Sequence, residues 1–200
     1  MLQRYFCNME KLSMAALNRL SVEKFRAAEK MPVVLVLDNV RSGLNVGSIF
    51  RTADAFLVEK ILLCGITAQP PHREILKTAL GSTDSVDWEY FASPESAVVS
   101  LKTAGYQVLA IEQTTAGIWL QQFQMASGEK YAFVLGNEVD GVSQAALALC
   151  DGVIEIPQFG TKHSLNVAVA AGIVIWETAR GQIPFADAAS APEPGLNEAG

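Results

Sequence analysis

The stretch IEIPQFGTKHSLNVAVAAGIVIWE, residues 154–177, begins as a strand and ends as a buried helix. Val153, Ile154 and Ile156 form a short apolar strand that turns at Pro157. After a loop containing Gly160, the segment from Ser164 to Arg180 is almost wholly small and aliphatic, as in a helix held inside a core. Three polar groups, His163, Ser164 and Asn166, stand at its mouth. Two roles suit them: capping the free N–H groups of the first turn, or facing a ligand.

The same alternation repeats toward the N-terminus. Val33 to Leu37 is an all-aliphatic run of the kind buried on both faces of a parallel sheet. Asn45 opens a helix with apolar residues at Val46, Ile49, Phe50, Ala53 and Leu57, a 3.6-residue period. Ile61 to Cys64 is the next strand, and His72 to Leu80 a short helix. Ser93-Pro94-Glu95 is a helix start, and Gly105 stops that helix just beyond Thr103. Tyr106 to Ile111 and Tyr131 to Leu135 are strands; Ile118 to Met125 has the spacing of a short amphipathic helix, and Ser143 to Leu149 is helical. Strands alternating with helices predict an α/β fold with a mostly parallel sheet flanked by helices. Ligands of such sheets sit beyond the carboxyl ends of the strands. The polar segments Asp38–Asn45, Glu112–Thr115, Gly136–Gly141 and Pro157–Asn166 should therefore converge on one crevice.

Residues 12–29 repeat apolar positions at helical spacing, so residues 1–30 read as an N-terminal helical extension, 31–182 as the folded domain and 183–200 as a disordered tail. Half of the 200 residues are hydrophobic, which suits one domain with a substantial core. The net charge of −6 opposes nucleic-acid binding only superficially, because residues 1–30 carry six Lys/Arg against three Glu while residues 183–200 carry three acids and no base. Three scattered cysteines without a CxxC, and two histidines, exclude a recognisable metal site. The longest apolar run, Val167 to Trp176, is about half of a bilayer span. No apolar run follows Arg4, so no secretory signal is evident and a cytoplasmic location is expected.

Three clusters carry candidate chemistry. The first is Asn39 with Asn45-x-Gly47 and Arg51: Asn45 suits a helix N-cap and Gly47 close packing, whereas Arg51 offers a planar cationic fork for a phosphate or a developing oxyanion. The second is Gly136-Asn137-Glu138-Val139-Asp140-Gly141, which is neither a Walker A loop nor GxGxxG. The third is the segment from Ile156 to Asn166. Neighbouring His163 and Ser164 do not make a Ser-His-Asp triad.

In this order the clusters resemble the motifs of the SpoU/TrmH family of RNA ribose 2′-O-methyltransferases, within the SPOUT superfamily, over about residues 32–180. The common Ile-Pro-Met of the third motif is Ile156-Pro157-Gln158 here. The resemblance implies a C-terminal deep trefoil knot, which periodicity would never suggest. It implies S-adenosylmethionine as cofactor, near Gly136, Ile156 and Leu165 and the strand end at Ala110, Ile111 and Glu112. It implies tRNA or rRNA as substrate and a homodimer pairing through the first and last helices. Arg51 would be the central catalytic group, in its own subunit or across the dimer, with Asn45, Glu138, Ser164 and Asn166 as the remaining site residues. Substrate choice would then fall to the first helix, the interface and loops such as 68–80. The alternative is a catalytically idle RNA-binding or assembly module on the same fold.

Overall fold

The computed structural model describes residues 11–13, 16–17 and 19–180. Seven strands form one sheet: β1 (Met31–Asp38), β2 (Val58–Cys64), β3 (Asp87–Phe91), β4 (Tyr106–Ile111), β5 (Ile118–Trp119), β6 (Lys130–Leu135) and β7 (Gly152–Glu155). They lie in the order β3-β2-β1-β6-β4-β7-β5, every neighbouring pair parallel. The helices are α1 (Val22–Ala27), α2 (Gly43–Ala55), α3 (Arg73–Ala79), α4 (Ser82–Ser85), α5 (Pro94–Thr103), α6 (Gln144–Leu147) and α7 (Val167–Arg180).

The strands alternate their side chains between two cores. Val33, Leu35 and Leu37 pack with Phe133 against Val46, Ile49 and Phe50 of α2 and Val174 and Ile175 of α7. Val34 and Val36 face the other side, with Val108, Ala110, Val134 and the Ala97, Val98 and Leu101 stripe of α5. Burial on both faces explains why β1 and β6 read as unbroken apolar runs.

Three local expectations are corrected, and one strand is added. Among the described residues of 12–29, the helix is confined to Val22–Ala27. Ser21 caps it by accepting from Lys24 N, in an extended conformation (φ −71°, ψ 164°) that a continuous helix cannot contain. Residues 14, 15 and 18 of that expected helix lie outside the described residues, as do 1–10 and the tail from 181. Helix α2 starts two residues before Asn45, because Ser42 Oγ accepts from Asn45 N (3.3 Å) and takes the capping position. The segment 118–125 is not an amphipathic helix. Ile118 and Trp119 pair with Ile154 and Glu155, and a 3-10 turn follows at Leu120–Gln122, whose Leu120 alone is buried. Strand β3 carries no apolar run in the sequence because Asp87-Trp88-Glu89-Tyr90-Phe91 is an edge strand with no buried residue.

Gly47 seats α2 on α3. A Cβ there would stand 2.2 Å from Thr78 Oγ1 and 2.3 Å from the Ile75 carbonyl oxygen. Gly47→Ala is expected to destabilise the fold by about 2 kcal/mol through overpacking. The check is chemical denaturation, with a lower midpoint at unchanged slope; a wild-type midpoint would remove this account of the α2–α3 seam.

Candidate functional site

Strands β4, β6 and β7 end side by side, with Ile111 level with Leu135 and Ile154. Beyond those ends opens a cleft of about 330 Å³, walled by Ile111–Gln113, Leu135–Gly141, Ile156 and Gln158, and His163–Leu165. Three of the four polar segments expected to converge therefore line it. The fourth, Asp38–Asn45, does not line the cleft. Asp38 is fully buried and its Oδ2 accepts from Ser143 N (2.7 Å), while Asn45 alone reaches the rim.

One wall is a glycine-closed hairpin. Asn137 N donates to the Gly141 carbonyl and Gly141 N to the Asn137 carbonyl, both at 3.1 Å. Asn137 Oδ1 accepts from Val139 N and Asp140 N, each 2.9 Å, so the side chain braces the tip. Gly141 holds φ +68°, the left-handed region. Gly136 is needed for a different reason: a Cβ there would fall 1.9 Å from Gly141 C. Glu112 bolts this hairpin to β4, its Oε2 accepting from Val142 N and its Oε1 from Gln113 N, both 2.9 Å. Glu112 thus lines the cleft with a carboxylate already held by two backbone donors.

Three residues far apart in sequence meet at the rim. Asn166 Nδ2 donates to Asn45 Oδ1 (3.1 Å), and Asn45 Nδ2 donates to Glu138 Oε1 (2.7 Å). The direction of this chain is set at its origin. Asn166 Oδ1 accepts from Ala168 N (2.9 Å) and Val169 N (3.3 Å), leaving its amide nitrogen to donate onward. Asn166, not Ser164, therefore caps α7, and the helix opens at Val167 rather than at Ser164. Ser164 is freed from capping and lines the cleft beside Leu165.

Two expected site residues lie elsewhere. Ala110 is fully buried on the α5 side of the sheet, because the strand period points it away from Ile111. Arg51 is exposed on α2, six residues beyond Asn45, about 9 Å along the helix and some 240° around it. It lines a second cleft, of about 640 Å³, against the segment leading into α1. Within one chain the structure does not bring Arg51 to the first cleft. Gln113, at the polar end of the β4 segment, donates from Nε2 to the His163 carbonyl (2.7 Å) and ties the β4 loop to the segment before α7. A lone glutamine in a loop gives no sequence signal of such a clamp.

Residues 32–176 match the model of the SpoU rRNA Methylase family. The chain belongs to that family. It is 28% identical over 152 residues to the 23S rRNA (guanosine-2′-O-)-methyltransferase RlmB of Neisseria meningitidis, covering 76% of this chain and 60% of the relative. It thus spans about three fifths of that relative's length. Among solved structures it is similar to the A. aeolicus TrmH/SpoU tRNA modifying enzyme, with a TM-score of 0.71, 26% identity and coverage of 80% of this chain and 81% of the other. It is similar also to the AdoMet-bound rRNA methyltransferase of Sinorhizobium meliloti, with a TM-score of 0.70, 29% identity and coverage of 80% and 60%.

In this SpoU-family chain, Asn45, Glu138, Ser164 and Asn166 gather at one rim while Arg51 stands apart. The two described thiols are poor nucleophiles: burial pushes Cys64 up to about 12 and Cys150 up to about 11. Among the described residues no group of three or more His, Cys, Asp or Glu could hold a metal ion, and no helix is long and apolar enough to cross a membrane. The cleft joins apolar walls (Leu135, Ile156, Leu165) to the carboxylates of Glu112, Glu138 and Asp140. That lining suits a ligand that combines an apolar part with a positive charge.

Proposed function

We propose that the chain transfers a methyl group from S-adenosylmethionine to a ribose 2′-hydroxyl of tRNA or rRNA. The observation that carries this reading is the convergence of Asn45, Glu138 and Asn166 in one hydrogen-bonded chain at the rim of the cleft that Ser164 and Leu165 line. The rRNA methyltransferases of Neisseria and Sinorhizobium that the chain resembles support it by family. S-adenosylmethionine would supply an electrophilic methyl on a sulfonium. Leu135, Ile156 and Leu165 would offer the cofactor apolar contact, and the carboxylates of Glu138 and Asp140 would favour its positive charge. The Asn166–Asn45–Glu138 chain immobilises the carboxylate, and Ser164 holds the reacting sugar. The ribose hydroxyl is a weak nucleophile, so placement in line with the methyl accounts for much of the rate. Arg51, a permanent cation, orients the target phosphate and stabilises the alkoxide-like oxygen.

Since Arg51 lies outside the cleft of its own protomer, the reading includes a homodimer that supplies it from the partner. Leu165, Val169, Ile173 and Trp176 form an exposed apolar stripe on and just before α7, spaced as one helix face, and suit that pairing. The reading also includes the knot: β7 enters the sheet between β4 and β5, and the β4–β5 loop holds the segment after β7 through Gln113. The isolation of Arg51 equally favours a second reading, an idle RNA-binding module. Calorimetry with S-adenosylmethionine and methyl incorporation into RNA separate the two. Binding with incorporation supports the enzyme; no S-adenosylmethionine binding retires it.

A further inference from the structure

We propose that Arg19, carried by the N-terminal arm, joins Arg51 in the second cleft to form a subsite for an RNA phosphodiester. The methyltransferase reading supplies the identity of the anion's carrier; the site itself rests on geometry. The cleft lies between the C-terminal half of α2, the turn joining α3 to α4, and the arm preceding α1. The arm is fastened rather than draped. Phe25 is buried, and Arg26 donates from Nε (3.0 Å) and Nη2 (2.5 Å) to the Asp84 carbonyl. Ser21 then caps α1, which sets Arg19 two residues ahead of a fixed turn.

Arg19 and Arg51 line this cleft together, and both are exposed. Among the described residues neither guanidinium has an ion-pair or hydrogen-bond partner; the ion pairs there are Lys60–Glu89, Lys102–Asp151 and Glu177–Arg180. Asp54 and Asp84 line the cleft too, but the Asp54 carboxylate takes the Ser85 hydroxyl and neither acid reaches an arginine within ion-pair distance. The cleft is therefore not a general basic patch. Both guanidinium groups line the same cleft and neither is committed to a partner among the described residues, and a phosphate offers oxygens that suit such forks. The arm thereby turns the exposed face around Arg51 into a binding wall that α2 alone lacks.

The test measures binding of a fluorescent single-stranded RNA oligonucleotide across a salt series. Arg19→Gln should weaken binding about tenfold at low salt and flatten the slope of log K against log salt by about 0.7, one lost phosphate contact. Arg19→Lys should recover the slope, because it keeps the charge. Inorganic phosphate, at ionic strength matched with chloride, should displace the oligonucleotide from wild type more than from Arg19→Gln. S-adenosylmethionine affinity should be unchanged in both variants, since the first cleft is untouched. An unaltered salt slope in Arg19→Gln overturns the inference. If wild type binds no S-adenosylmethionine yet Arg19→Gln still flattens the slope, the methyltransferase reading falls and the phosphate subsite stands.

Discussion

Replacing Gly136 by alanine is expected to weaken S-adenosylmethionine binding by at least about a hundredfold, some 3 kcal/mol. The added Cβ would meet Gly141 C at 1.9 Å, Val142 N at 2.1 Å and the Gly141 carbonyl oxygen at 2.2 Å. All three are backbone atoms, so no rotamer change relieves the overlap and the hairpin must open. Opening breaks the reciprocal Asn137–Gly141 hydrogen bonds and the Val142–Glu112 strut, which together form one wall of the cleft. Unsatisfied backbone groups then add to the loss. Gly160 is the control: a Cβ there meets nothing within 4 Å, and it lies in the segment between cleft-lining Gln158 and His163. Gly160→Ala should bind as wild type. Isothermal titration of both variants decides the matter, and wild-type affinity in Gly136→Ala would show that this hairpin does not shape the cofactor site.

Arg51→Ala is expected to lower kcat for methyl transfer by about 10²- to 10³-fold, the usual cost of removing one preorganised donor from a developing oxyanion. Its thermal midpoint should stay unchanged because Arg51 is exposed, and its S-adenosylmethionine affinity because the role proposed for Arg51 is toward the RNA phosphate and 2′-oxygen. Equal methyl incorporation by wild type and variant would end the catalytic assignment. Mixing settles which subunit's cleft Arg51 serves. A heterodimer of Arg51→Ala with Ser164→Ala contains one intact site if Arg51 acts across the interface, and none if it acts at home. Recovery of activity on mixing two inactive proteins is the expected result.

These outcomes depend on features of unequal visibility in the sequence. The buried strands announced themselves, since Val33–Leu37 of β1 and Tyr131–Leu135 of β6 pack on both faces and are apolar throughout. The edge strand β3 did not, because exposed positions tolerate Asp87, Glu89 and Tyr90 and the pairing is supplied by the β2 backbone. Caps were legible in kind and mistaken in place. Ser42 and Asn45 are both good caps three residues apart, as Ser164 and Asn166 are two apart, and only the backbone path chooses between them. Ala110 is grouped with Ile111 and Glu112 by sequence, and the strand period of two turns its side chain into the opposite core.

By itself the sequence determined the alternation of strands and helices and the three motifs that mark the family. Local chemistry suffices for these, since periodicity, turn conformation and capping act over a few residues. The tertiary structure alone decided the strand order β3-β2-β1-β6-β4-β7-β5 and the meeting of Asn45 with Glu138, 93 residues away, and with Asn166, 121 residues away. It alone decided that Arg51, six residues from Asn45, faces a different cleft beside Arg19. Pairing order and side-chain convergence are set by how whole layers bury their apolar faces against one another, and no short window of residues contains that information.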